Sequence, residues 1–213
     1  VLIENEFGEI GIDGGFLQEA GINITEMNSG CICCSLVGDF GKALNQVMAE
    51  YVFMTDSDSD LPYHLKVQYD IPVVYMPYIV DGKEYFDDLG QTMDHKTYFD
   101  KMREGAAPST AGLNELDYID YFEPILESGK DLLFVAFSSQ LSGTIHNVYA
   151  ARATLLEKYP ERKFVVVDTL SISGPQTLLV LKAHEMYRAG ESIETVAARV
   201  EANKLRAQAY FTV

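Results

Sequence analysis

Two groups of residues in this 213-residue chain have the types and spacing to do chemistry. The first is Cys31, Cys33 and Cys34, all three of the chain's cysteines inside four positions. Such close neighbours do not easily meet disulfide geometry with one another, so the cluster reads as a thiolate constellation rather than as crosslinks. Thiolates are soft ligands that favour zinc, and added carboxylates admit cobalt or another borderline divalent ion. The plain alternative is three inert buried thiols. Either way, unbridged cysteines point to a reducing, cytoplasmic setting.

The second group is a set of hydroxyl-rich loops. Thr55-Asp56-Ser57-Asp58-Ser59-Asp60, Ser138-Ser139-Gln140-Leu141-Ser142-Gly143-Thr144 and Asp168-Thr169-Leu170-Ser171-Ile172-Ser173-Gly174 each follow an apolar run. Ser109 and Thr110 lie in a further loop, placed between helices. The first loop reads as a helix cap or as a carboxylate-rich cation loop, but neither the Gly nor the terminal Glu of an EF-hand follows. Hydroxyls and amides at the carboxyl ends of strands occupy the usual ligand position of an open α/β sheet. A helix starting there favours an anion. Each hydroxyl taken singly is as readily a cap or turn residue.

These loops need elements to hold them. Apolar runs predict strands at 51–55, 73–78, 132–137, 164–167 and 209–213. Helical spacing predicts helices at 60–69, 94–103, 114–127, 142–158, 175–188 and 192–206, with Asp94 and Ser192 as N-caps and Gly129 and Gly190 as stops. Near-continuous apolar strands such as Leu132-Leu133-Phe134-Val135-Ala136-Phe137 suit a sheet covered on both faces. The fold class is therefore α/β, a three-layer domain with a mainly parallel sheet over residues 48–213. Residues 1–47 read as a short, incomplete α/β fragment with too small an apolar inventory to stand well alone.

Composition removes several classes. The net charge of −16 argues against nucleic acid or an anionic membrane as the main partner. Residues 1–47 carry seven acids and one base, Lys42, so both parts of the chain are acidic but only the first nearly lacks positive charge. No apolar run approaches the roughly 20 residues of a membrane span. His64, His95 and His184 fall in predicted helices as surface or half-buried residues. His146 follows the Ser142-Gly143-Thr144 loop, yet no G-x-S-x-G elbow surrounds a serine, so a serine hydrolase is disfavoured. Tyr63, Tyr69, Tyr75 and Tyr78 read as core-packing residues.

Ile3-Glu4-Asn5-Glu6-Phe7-Gly8-Glu9, Gly11-Ile12-Asp13-Gly14 and Asn28-Ser29-Gly30-Cys31-Ile32-Cys33-Cys34 together resemble the CobW family of metal-trafficking GTPases. That resemblance implies Glu4 and Glu9 beside the thiolates of Cys31, Cys33 and Cys34, with zinc or cobalt as the metal. A GTPase also needs the G-x-x-x-x-G-K-[ST] phosphate loop, expected before Val1 and not in this chain, so GTP hydrolysis is not expected.

From Thr55-Asp56-Ser57 through Ser138-Ser139-Gln140-Leu141-Ser142-Gly143-Thr144 to Phe211-Thr212-Val213, residues 48–213 are similar to the DegV family. The resemblance implies a non-enzymatic protein that binds one long-chain fatty acid between two domains and presents its carboxylate to a fatty-acid kinase subunit. No cofactor is required. By motif, Thr110 and Ser139 would hold the carboxylate, while Ser138, Ser142 and Gly143 shape the loop. The chain departs from the family where Thr110-Ala111-Gly112 stands for a common Thr-Ser-Gln. A Gly-Gly-Arg-Ile motif and a second domain are expected beyond Val213, and binding weakened by truncation is the corresponding expectation. A metal-binding GTPase or metallochaperone fragment is the alternative reading.

Overall fold

Apolar side chains on both faces of a strand demand cover on both sides, and the central strands of this protein have it. The computed structural model describes residues 50–210. Tyr51–Asp56 (β1), Val73–Val74 (β2), Asp131–Ala136 (β6) and Phe164–Asp168 (β7) form a parallel sheet in the order β2-β1-β6-β7. Along β6, Leu132, Phe134 and Ala136 belong to one core and Leu133 and Val135 to the other.

On one side lie Tyr118, Phe122 and Leu126 of Glu115–Glu127 (α3), with Ile145, Val148, Ala151 and Leu155 of Thr144–Lys158 (α4). On the other lie Leu179, Val180 and Ala183 of Ser173–Arg188 (α5), with Val196 and Val200 of Ile193–Asn203 (α6). The three-layer α/β fold with a parallel sheet is thus present. Among the described residues no helix is long and apolar enough to cross a membrane.

The helix ends follow their local chemistry. Asp94 Oδ1 accepts the Thr97 N–H at 3.0 Å at the start of His95–Arg103 (α2), and Ser192 Oγ accepts that of Thr195 at 3.2 Å. Asn114 and Asp117 form a reciprocal capping box on α3. Gly129 and Gly190 stop their helices with φ of +82° and +83°.

Other elements differ from the sequence expectation. The single strand predicted over 73–78 is two: β2 in the parallel sheet, and Pro77–Val80 (β3) in a separate antiparallel sheet. Between them, the Tyr75 N–H goes to Tyr121 Oη at 3.3 Å and the Met76 N–H to Ser57 Oγ at 3.1 Å. Side chains take the donors a continuous ladder would need, and Pro77 has none to give. The second sheet runs in the order β4-β3-β5, where β4 is Lys83–Phe86 and β5 is Ser109–Thr110. Thr110 is therefore in a strand, not in a loop between helices. β4 is mostly exposed and lacks apolar alternation, but the Asp81-Gly82 pair before it is a hairpin signal.

The first predicted helix shortens to Tyr63–Tyr69 (α1), because Ser57–Ser59 is a 3-10 turn and Asp60 is left-handed. α5 starts two residues before Pro175, which the first turn of a helix tolerates. α6 gives way after Asn203 to a 3-10 turn, Lys204–Arg206. Ala209 and Tyr210 are in no strand, and the rest of the predicted strand at 209–213 lies outside the described residues. So do the fragment assigned to residues 1–47 and its candidate ligands Glu4, Glu9, Cys31, Cys33 and Cys34.

Candidate functional site

β1, β6 and β7 end together in register, Thr55 opposite Val135 and Ala136 opposite Asp168, so their following loops share one edge. Asp56, at the end of β1, ties that edge together. Its Oδ2 accepts the Phe137 N–H at 2.7 Å and its Oδ1 the Gln176 side-chain amide at 2.8 Å. Thr55 Oγ1 donates to the Val135 carbonyl at 2.8 Å, and Thr169 Oγ1 to that of Ala136 at 2.8 Å. The 3-10 turn is bound to α5 as well: Ser173 donates to the Asp60 carboxylate and Thr177 to the Ser59 carbonyl.

Burial pushes the Asp56 carboxyl well above the usual carboxylate range, with Asp58 adding to it and the bonds from Phe137 and Gln176 opposing. Asp58 is pushed up to about 6, first by burial and then by Asp87 and Asp60, and its Oδ2 has no hydrogen-bond partner among the described residues. Among the described residues no group of three or more His, Cys, Asp or Glu is placed to hold a metal ion, so the cation-loop reading of Thr55–Asp60 gains no support.

The sequence-selected hydroxyls separate into two kinds. Ser138 is buried, and its Oγ accepts the Gln140 N–H at 3.1 Å. Ser142 Oγ accepts the Thr144 N–H at 3.2 Å, and the Gly143 carbonyl accepts the His146 N–H at 3.0 Å at the start of α4. Those residues build the loop. Thr110 and Ser139 are exposed, and their hydroxyls have no hydrogen-bond partner among the described residues.

The strand carrying Thr110 leads straight to this loop. A Cβ on Gly112 would stand 3.3 Å from Thr144 Oγ1, and Asn147 Nδ2 donates to the Leu113 carbonyl at 2.8 Å. The structure thus brings the segment after Thr110 against the N-terminus of α4, where the Ser138–Gly143 loop ends. With Gly at 112 this approach is close; a side chain as large as Gln could not occupy it without displacing its neighbour.

Sequence reasoning missed Asp56, Asp168, Gln176 and Asn147. An acid at the end of an apolar run, directly for Asp168 and after Thr55 for Asp56, marks the first two; no local signal marks Gln176 or Asn147. It also misplaced His184, which is buried against Phe53, Tyr69 and Tyr187 at ring distances of 5.6, 5.5 and 5.6 Å. Burial, then the Arg188 charge, pushes its imidazole down to about 4. Tyr69, Tyr75 and Tyr78 are half-buried, whereas Tyr63 is exposed because it starts α1 on the solvent side.

The DegV family, described as an uncharacterised protein family, matches residues 51–213. A DegV domain-containing protein of Clostridium perfringens is 38% identical over 166 residues, covering 78% of this chain and 57% of its own length. One from Lactococcus lactis is 32% identical over 145 residues, covering 67% of this chain and 50% of its own. The chain therefore spans about half the length of these curated relatives. Among solved structures, a DegV family protein from Thermus thermophilus, reported for its fatty acid binding, is 32% identical with a TM-score of 0.63, over 73% of this chain and 54% of its own. A hypothetical protein from Thermotoga maritima, reported to reveal fatty acid binding function, is 26% identical with a TM-score of 0.61, over 73% and 55%. These matches give no support to the CobW resemblance of residues 1–47. With 51–213 matched and the parallel sheet and its edge loops in place, the chain belongs to the DegV family.

Proposed function

We propose that this chain binds a long-chain fatty acid, with the Thr110 and Ser139 hydroxyls on its carboxylate and Ser138, Ser142 and Gly143 shaping the loop. The observation that carries the reading is the sorting of the motif's hydroxyls: those of Thr110 and Ser139 have no internal partner among the described residues, while Ser138 Oγ and Ser142 Oγ accept the main-chain N–H bonds that build the loop. Ser139 lies in the loop that leads into the 15-residue helix α4, and Thr110 precedes the segment packed against that helix's N-terminus, an end that suits an anion. Fatty acid binding by the Thermus and Thermotoga relatives supports the ligand class.

Binding rather than catalysis is the role, and the resemblance to the family implies a fatty-acid kinase subunit as the partner that receives the carboxylate. Residues 48–213 act as the fatty-acid-binding part. Thiolate binding of zinc or cobalt at Cys31, Cys33 and Cys34, with Glu4 and Glu9, is a separate proposal supported only by residue type and spacing.

Calorimetric titration of the full chain with palmitate tests the main reading. A hydrogen bond to a charged group is worth about 1.5–3 kcal/mol, so Thr110→Val and Ser139→Ala should each weaken binding roughly 10- to 100-fold. Ser128→Ala, whose hydroxyl bonds the Ile125 carbonyl away from this edge, should leave it unchanged. Palmitate binding that survives both site substitutions intact would overturn the assignment.

A further inference from the structure

We propose that Asp168 is the positioning residue for Ser139, fixing through the Ser139 main-chain N–H the direction in which the Ser139 hydroxyl meets a ligand carboxylate. This rests on the reading above that Ser139 contacts the ligand. Asp168 Oδ1 accepts two main-chain donors, Ser139 N–H at 3.1 Å and Leu170 N–H at 3.0 Å. One oxygen thereby bridges the loop after β6 to the loop after β7.

The neighbouring contacts hold the base of the loop and stop short of Ser139. The Ser138 N–H donates to the Ser171 carbonyl at 3.2 Å, and the Ser142 N–H to the Ser138 carbonyl at 3.2 Å. Ser139 itself is exposed, and its hydrogen bond among the described residues is the one to Asp168. Asp168 is itself firmly anchored. It pairs with Ala136 in the sheet, and its carbonyl accepts Lys204 Nζ at 2.9 Å. Leu170 is held left-handed, at φ +51°, with its N–H turned to the same carboxylate.

By charge alone, an acid beside an anion site opposes binding. The contribution of Asp168 is geometric. By taking the Ser139 amide it leaves the hydroxyl as the donor for the ligand, and it fixes the peptide that aims that hydroxyl. An acceptor is needed for this and a negative charge is not, which separates the role from a general electrostatic one.

The test uses the full chain, palmitate titration and amide hydrogen exchange at Ser139. Asp168→Asn keeps an acceptor oxygen without the charge, and should preserve Ser139 protection and bind palmitate at least as tightly as the parent. Asp168→Ala should speed Ser139 exchange and weaken palmitate roughly tenfold or more, as Ser139→Ala does. Adding Asp168→Ala to Ser139→Ala should cost no more than about a further twofold, since the two act through one hydroxyl. Multiplying losses, or unchanged Ser139 exchange in Asp168→Ala, would overturn the proposal. If Ser139→Ala alone leaves palmitate binding intact, the carboxylate reading fails, and with it this role. Should Asp168→Ala not fold, Asp168→Glu moves the acceptor by one methylene at constant charge; lost protection with lost affinity supports the role, and parent-like values overturn it.

Discussion

The Gln176 side-chain amide donates to the Asp56 carboxylate at 2.8 Å across 120 residues of sequence, with both side chains buried. The bond joins the end of β1 to the first turns of α5, and Asp56 carries it on to the loop after β6 through the Phe137 N–H. Removing the amide leaves a buried carboxylate oxygen without its donor. Gln176→Ala should therefore lower stability by about 1–3 kcal/mol, read as a lower urea midpoint at unchanged slope. A midpoint equal to the parent's would show that water replaces the amide at no loss.

Asp58 gives a pH prediction with a definite sign. Its folded-state value is raised from 3.8 to about 6, so between these the folded protein holds a proton that the unfolded chain has released. Stability from this group is highest at low pH and is lost as pH rises from about 4 through 6. Asp58→Asn removes the titration, so it should stabilise the protein relative to the parent at pH 7 and much less at pH 4. Comparing the two chains at each pH cancels groups they share. A pH-independent difference would count against the burial argument.

His184 contributes with the opposite sign. Its value is lowered from 6.5 to about 4, so the folded imidazole stays neutral where the unfolded one takes a proton. Its contribution is present above about pH 6.5 and is lost as pH falls toward 4. His184→Phe should flatten the acid side of the stability profile, measured by thermal melts from pH 7 to 4.5.

Asn147 should couple the Thr110 segment to α4. Asn147→Ala removes its bond to the Leu113 carbonyl, a contact worth about 1 kcal/mol, while α4 keeps its apolar face. Palmitate affinity should fall several-fold with only a small drop in melting temperature. Unchanged affinity would show that the segment is held by its strand pairing alone.

Thiolates must lose their protons to bind metal. Cobalt titration of the full chain should therefore give thiolate-to-metal absorption that fades below about pH 6, without added nucleotide. Retention of that signal in a Cys33→Ser, Cys34→Ser double variant would remove the proposed thiolate site.

Much of the fold is legible along the chain because its causes are local. The Asp94 and Ser192 caps, the Gly129 and Gly190 stops and the doubly buried strands β1, β6 and β7 depend on residues within a turn or on side-chain alternation. The hydroxyl-rich loops after those strands are likewise visible from order and composition. Which hydroxyls are available is not. Ser138 and Ser139 are adjacent and chemically identical, yet one is buried with its oxygen occupied and the other is exposed without a partner for it. The Ser138 oxygen is taken locally by the Gln140 N–H, but the two peptides are held by contacts from 29 to 33 residues away, Asp168 and Ser171, across the ends of the paired strands β6 and β7. The break between β2 and β3 has the same origin, since the Tyr75 and Met76 donors are taken by Tyr121 and Ser57. Sequence alone determined the doubly buried strands β1, β6 and β7, the caps and the family. The assignment of each polar group to structure or to ligand waited for the sheet to bring distant partners within hydrogen-bonding distance.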